Sequence, residues 1–179
     1  MTQEKVPLVV DLDGTIVNAD TLVLSVLELL RKSPLNLLRL FLWLPAGRAN
    51  FKRNVSLQAD LPIADLPYRI NLLQYLEAQK ETGRPIILAT AAHITIANKV
   101  AQHLDIFDSV IATDGNINLK GRNKLEAINR AIGDRFVYAG DSKADLPIWR
   151  FAEAAILVNV KPALSKRVCS FTKVEAEFT

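Results

Sequence analysis

Cysteine is almost missing from this sequence. Cys169 stands alone, so no internal disulfide can form, and a fold stapled by cross-links is excluded. A lone thiol suits a reducing cytoplasm, which is the compartment expected for the chain. Long hydrophobic runs are missing as well. The most apolar stretch, LNLLRLFLWLP at 35–45, follows Pro34, ends in Pro45 and carries Arg39 inside it. Its eleven residues fall short of the roughly 20 that a membrane span needs. The opening MTQEKVPLVV has no apolar stretch of the kind that marks a secretory signal. Charge of one sign is scarce too: 22 basic against 19 acidic residues leave +3, too little to argue for a nucleic-acid partner. What remains is a chain of 179 residues, half of them apolar, enough for one good core and a small appended module.

Five short apolar runs have strand character: 6–10, 85–89, 109–112, 135–139 and 154–158. They are apolar throughout instead of alternating, as strands of a parallel sheet covered on both faces are. Helical patterns at 92–104, 123–132 and 143–152 lie between them. Strand and helix in alternation predict an α/β chain with a doubly wound parallel sheet. Between 12 and 84 the rhythm breaks. Only helical pattern is found there, in pieces near 20–32, 35–44, 47–58 and 65–82, so 18–79 is predicted to be an all-helical cap inserted after the first strand. There is no internal repeat.

The first strand ends in two carboxylates, Asp11 and Asp13, followed by Gly14 and Thr15. Like charges at the end of a buried strand are costly unless something cationic sits among them. In open parallel sheets, ligands bind beyond the carboxyl ends of the strands. The other strand ends carry Thr90, then Ala91, Ala92 and His93; Asp114 in TDGN; and Gly140, Asp141 and Asp145 in GDSKAD. Lys124 opens the helix before the fourth strand. Each has an ordinary reading: Asp11 and Asp141 as caps, Thr90 as a helix N-cap, Asp114 as turn chemistry, His93 as a plain helix-surface residue. Lys120 competes with Lys124 as the phosphate-facing cation, with the helix start favouring Lys124. Cys169 has no histidine near it in sequence and no catalytic role is expected of it.

Together these residues resemble the four motifs of the haloacid dehalogenase-like superfamily of phosphotransferases. DLDGT (11–15), the threonine of ILAT, the lysine of GRNK and GDSKAD (140–145) occur in order, and the resemblance runs over the whole chain. It implies a Rossmann-like core, 1–17 and 80–179, with the helical cap at 18–79. It implies Asp11 as nucleophile and Asp13 as general acid and base. Thr90, the N–H of Ala91 and Lys124 would bind the phosphoryl group. Mg²⁺ would lie among Asp11, Asp13 and Asp141, with Asp145, Gly14 and Thr15 supporting the site. The chemistry is coherent: a carboxylate can attack phosphorus, and a hard cation with oxygen ligands offsets the meeting of two anions. Backbone N–H groups of the 11–15 loop are expected to add an oxyanion cradle. The implied reaction is phosphomonoester hydrolysis. A phosphotransferase or mutase, or a non-catalytic domain docking a membrane enzyme, stands as the alternative.

A narrower resemblance rests on DLDGT, LPAG with FKR after it, GRPIILATAA, NLKGRNK and YAGDSKADLPIW. These are similar to the phosphatase-like domain found N-terminal to UbiA-type prenyltransferases. That implies a small phosphorylated substrate, isoprenoid- or sugar-linked, and a prenyltransferase as partner, the chain being a freestanding relative or such a domain on its own. Ala91 and Ala92 stand where serine-phosphate phosphatases usually carry a glycine and a bulky residue, so an amino-acid phosphate is not implied. Independently of any family, residues 31–53 hold six basic residues and no acid beside LLRLFLWLP. Leu38, Phe41, Leu42 and Trp43 are expected to crowd towards one side of a helix. They form either the core of the cap, with a solvated basic face, or a surface for anionic membrane at the inner face of the bilayer.

Overall fold

The computed structural model describes residues 5–114 and 117–179, apart from the side chains of Ala46, Arg48 and Ala49. Six strands form one parallel sheet: β1 (Leu8–Val10), β2 (Ile86–His93), β3 (Ser109–Thr113), β4 (Val137–Gly140), β5 (Ala154–Val158) and β6 (Lys173–Phe178). Their spatial order is β3-β2-β1-β4-β5-β6, with Val9 beside Ile87 on one side and Tyr138 on the other. The order reverses between β1 and β4, which opens a crevice outside the carboxyl ends of those two strands. The sheet is thus the doubly wound α/β architecture that the apolar runs predict.

Side chains alternate across a strand, and both faces here are covered. Leu8, Val10, Ile86, Leu88, Ala139 and Ile156 share one core, packed by α4 (Ile70–Glu81) and α5 (Ile94–Leu104) through Leu72, Leu76, Ile96 and Val100. Val9, Ile87, Ala89, Tyr138 and Leu157 share the other. That face is closed by α6 (Arg122–Ile132), α7 (Leu146–Trp149) and α8 (Pro162–Cys169) through Ile128, Trp149, Leu164 and Val168. Strands buried on both faces need no polar residues, which is why their sequences are apolar throughout.

The sixth strand was outside the sequence expectation. Val174, Ala176 and Phe178 are half-buried while Lys173, Glu175 and Glu177 are exposed. Such an edge strand has period-two patterning at low hydrophobicity, and its charges discourage further strand pairing. The same region carries α8, so Cys169 ends a helix and is exposed, away from the strand ends that carry the acids.

The expected 18–79 cap divides into two parts. Helices α1 (Thr21–Lys32), α2 (Asn36–Trp43) and α3 (Arg48–Gln58) have a core of their own around Leu29, Leu40, Val55 and Ala59. From Leu61 onward the chain joins the main core, and Leu72 and Leu76 of α4 are fully buried against the sheet. Helical periodicity marks a helix but not the surface that receives it, so in sequence α4 is indistinguishable from the cap helices before it. No described helix is long and apolar enough to cross a membrane.

Candidate active site

The crevice at the strand reversal holds a cavity of about 330 Å³, lined by residues from four directions. The first-strand end brings Asp11, Asp13 and Gly14, the fourth-strand end Asp141, Ser142 and Asp145, the start of α6 Gly121 and Lys124, and the cap Asp20 and Lys52. Asp11 continues β1 by donating its N–H to the Ala139 carbonyl at 3.0 Å. Its Oδ1 accepts from the Leu12 N–H at 2.8 Å, and its Oδ2 lies 2.8 Å from Lys124 Nζ.

Lys124 is almost wholly buried, so its charge has to be matched within the protein. Besides Asp11 it donates to the Tyr138 hydroxyl at 3.0 Å. That hydroxyl donates to Asp145 Oδ1 at 2.8 Å. Asp145 Oδ2 accepts from the N–H and the hydroxyl of Ser142, both at 3.0 Å. Lys124, Tyr138, Asp145 and Ser142 form one chain of hydrogen bonds behind Asp11. Lys120 lines the cavity from an exposed position.

One carboxylate oxygen from each of Asp11, Asp141 and Asp145 lies within 4.8 Å of the others. An all-oxygen, all-anionic donor set of this kind fits a hard divalent cation such as Mg²⁺. The electrostatics of the bare protein fit it too. Burial pushes the Asp11 carboxyl up to about 7; Lys124 pulls it down, and Asp145 and Asp13 add to the rise. Burial, then the charge of Asp145, pushes Asp141 up to about 6. Even with Lys124 opposing the rise, burial and neighbouring carboxylates disfavour the charged forms, an effect that a cation among them would reverse. Of the three expected metal-binding residues, two contribute carboxylates to this group. The Asp13 carboxylate is not in this group: it turns to the first turn of α1, where Oδ1 accepts the Thr21 N–H at 2.8 Å. Burial raises its pKa, with that hydrogen bond opposing. Asp145 takes its place within reach, although three hydrogen bonds already hold its oxygens.

Two glycines make the close approach possible. Gly14 has φ +77°, and a Cβ there would lie 2.3 Å from Asp141 Oδ2. At Gly140 a Cβ would lie 2.8 Å from the Tyr138 ring and 2.9 Å from Asp145 Cγ. Side chains at either position would displace the carboxylates.

Other expected residues stand differently. Thr90 is fully buried, and its hydroxyl accepts from the Ala92 N–H at 3.0 Å; the cavity wall is Ala91. Here β2 runs on to His93 with an irregularity after Thr90, so the strand does not end where its apolar run does. The expected cradle from the 11–15 loop is reduced. The Leu12 N–H bonds Asp11, the Gly14 N–H the Ala19 carbonyl and the Thr15 N–H the Leu12 carbonyl. The Thr15 side chain is fully buried behind the turn. His93 is a buried N-cap and not a surface residue: Nδ1 accepts from the Thr95 N–H at 3.3 Å. Its pKa is pushed down by burial, against the pull of Asp114. Asp114 is exposed; the next two residues of TDGN lie outside the described residues.

Two residues were not anticipated here, Tyr138 in the hydrogen-bond network behind the cavity and Lys52 on its wall. Tyr138 sits mid-strand in an apolar run, and the one clue to it is that a buried phenol needs a partner. Lys52 was expected on the basic cap surface. Instead it turns inward from α3, donating to the Ala91 carbonyl at 2.7 Å and to Asn118 Oδ1 at 2.9 Å.

The model of the haloacid dehalogenase-like hydrolases matches residues 8–150. The uncharacterized protein y4nM of Sinorhizobium fredii is 38% identical over 154 residues, which cover 86% of this chain. The chain spans about a third of that relative's length, the match covering 30% of it. Among solved structures, a protein of unknown function from Bordetella pertussis Tohama I superposes with a TM-score of 0.72 at 14% identity, covering 97% of this chain and 99% of that one. A phosphoserine phosphatase in its apo form superposes with a TM-score of 0.62 at 18% identity, covering 97% and 93%. These likenesses show a shared fold, and the family match spans the four strand-end motifs: this chain belongs to the haloacid dehalogenase-like hydrolases.

Proposed function

We propose that the chain is a Mg²⁺-dependent phosphomonoester hydrolase working through an aspartyl-phosphate. The observation that carries this reading is Asp11 itself, a buried carboxylate 2.8 Å from a buried lysine and facing a cavity beside Asp141. The Asp11 carboxylate attacks phosphorus, a new P–O bond forms and the bond to the ester oxygen breaks. Asp13, whose pKa burial raises against the Thr21 hydrogen bond, gives a proton to the departing alkoxide. As a carboxylate, Asp13 then takes a proton from water, whose oxygen attacks phosphorus and releases Asp11. Lys124 holds Asp11 in place and offers positive charge to the phosphoryl oxygens. Held by Asp11 and Asp141, Mg²⁺ would offset the charge that builds as two anions meet. The cap borders the cavity through Asp20 and Lys52, and its closing over a bound substrate would keep bulk water out.

The test is phosphate release from a generic aryl phosphate. EDTA should abolish it and Mg²⁺ restore it. Asp11→Asn should lower it by about three orders of magnitude or more, since an amide cannot attack. Turnover by Asp11→Asn near the wild-type rate would sink the assignment. A screen of isoprenoid- and sugar-linked phosphates addresses the substrate class, which belongs to the same proposal. So does work alongside a UbiA-type prenyltransferase, for which co-purification from membranes is the readout.

A further inference from the structure

Helix α2 is apolar on every side except at Arg39 and Asn36. Such a helix is normally buried all round. Here only one stripe is covered: Leu40 is buried and Trp43 half-buried against Leu29, Val55 and Ala59. On the opposite side Leu35 is 80% exposed, Leu38 66%, Phe41 60% and Leu42 70%. At 100° per residue, Leu38, Phe41 and Leu42 fall together on the face away from Leu40. They do not form the core of the cap. That core is complete without them.

The charge beside this face is mainly positive, with Lys32 lying 3.6 Å from the exposed carboxylate of Asp60. Between Glu28 and Asp60 the chain has six basic residues and no acid. Arg31 and Lys32 close α1 immediately before α2, and Arg39 flanks its outer face; all three are exposed. Lys52, by contrast, turns into the cavity. We propose that the outer face of α2, with Arg31, Lys32 and Arg39, docks on an anionic lipid bilayer. A second copy of the chain would bring these basic groups against their own likeness, because a two-fold interface is self-complementary. A bilayer with anionic headgroups meets both requirements at once, with acyl chains for the leucines and phosphates for the guanidinium and ammonium groups. At eight residues α2 is about 12 Å long, which suits a helix lying flat at the headgroup boundary.

The test is co-sedimentation of the whole chain with phosphatidylcholine vesicles, with and without phosphatidylglycerol, at low and at moderate salt. Binding is expected on the anionic vesicles alone and should weaken as salt rises. Leu38→Ser/Phe41→Ser/Leu42→Ser and, separately, Arg31→Glu/Lys32→Glu/Arg39→Glu should each lower partitioning by about tenfold or more. Both should leave release of phosphate from a soluble aryl phosphate unchanged. Circular dichroism checks folding, and if one variant does not fold, the other decides. Equal binding to neutral vesicles, binding unmoved by the folded variants, or no binding at all would overturn the proposal. A dimer in solution without vesicle binding would also overturn it and assign the face to a second copy.

Discussion

The edge of the sheet and the outside of the cap break the usual pattern of burial in opposite directions. At the sheet edge, charges are buried: Lys124, Asp145 and Asp11 lie in a protein interior. On the cap, large apolar side chains stand in solvent: Leu35, Leu38, Phe41 and Leu42. The first departure is closed within the chain. Lys124 meets Asp11 and Tyr138, and Asp145 meets Tyr138 and Ser142, so the buried charges hold one another in place. The second has no such closure, since the stripe that the cap needs is already provided by Leu40 and its neighbours. A departure that is satisfied internally prepares a site for a small reactant. One that is left open calls for something outside the chain.

Removing one charge from the closed network should have the largest effect. Lys124→Met leaves Asp11 and Tyr138 without their shared partner. One-sided removal from a buried pair costs about 3–5 kcal/mol when the remaining charge stays. Asp11 can instead take up a proton, since burial already pushes its carboxyl up to about 7 against the pull of Lys124. The expected loss of stability is therefore about 1–3 kcal/mol by urea unfolding, while phosphate release should fall by about 100- to 1,000-fold. Unchanged stability would mean that the network does not hold its charges as described.

A pair of leucines sharpens the same contrast. Leu72→Ala, in the helix that packs on the sheet, should cost about 2–5 kcal/mol. Leu42→Ser, on the outer face of α2, should stay within about 0.5 kcal/mol. Comparable losses would mean that the outer face is covered after all. The smallest effect is expected where a charge pair lies near the surface, between α4 and β6. Glu175 accepts from the Tyr75 hydroxyl at 2.6 Å and pairs with Arg84. Burial raises its pKa, but the Arg84 and Tyr75 hydrogen bonds outweigh that and hold the carboxyl below its usual 4.5. A depressed acid contributes stability above its unfolded pKa and loses it as pH falls through the folded one. Glu175→Gln should flatten the loss of stability below about pH 4.5, by less than about 1 kcal/mol because the pair is partly exposed. An unchanged acid limb would assign that limb to other carboxyls.

Much of the core was legible because its signals are local. Five apolar runs became β1 to β5, and the acids after the first and fourth became cavity wall, since a parallel sheet places every strand end on one edge. β6 was missed because KVEAEF is half polar, as an edge strand can be when its outer face meets water. Thr90 was placed at a strand end by its apolar run, whereas β2 continues through it to His93. Tyr138 gives no signal of its role in sequence, because its ring belongs to the strand pattern while its hydroxyl bridges Lys124 and Asp145.

By itself the sequence determined that Asp11 and Asp13 follow the first apolar run, that Asp141 and Asp145 follow the fourth, and that Lys124 lies at the start of the helix before it. Those depend on spacing along the chain and on a backbone topology that few alternatives satisfy. Only the tertiary structure decided which way side chains turn once the helices dock. Lys52 went to the cavity and not to the basic surface, α4 to the sheet and not to the cap, Asp13 to the first turn of α1 and not to the acidic cluster. Each of these depends on the rotation of one element against another. Helical periodicity repeats every turn and is indifferent to what it faces, so that rotation is set by the packing of all the elements together.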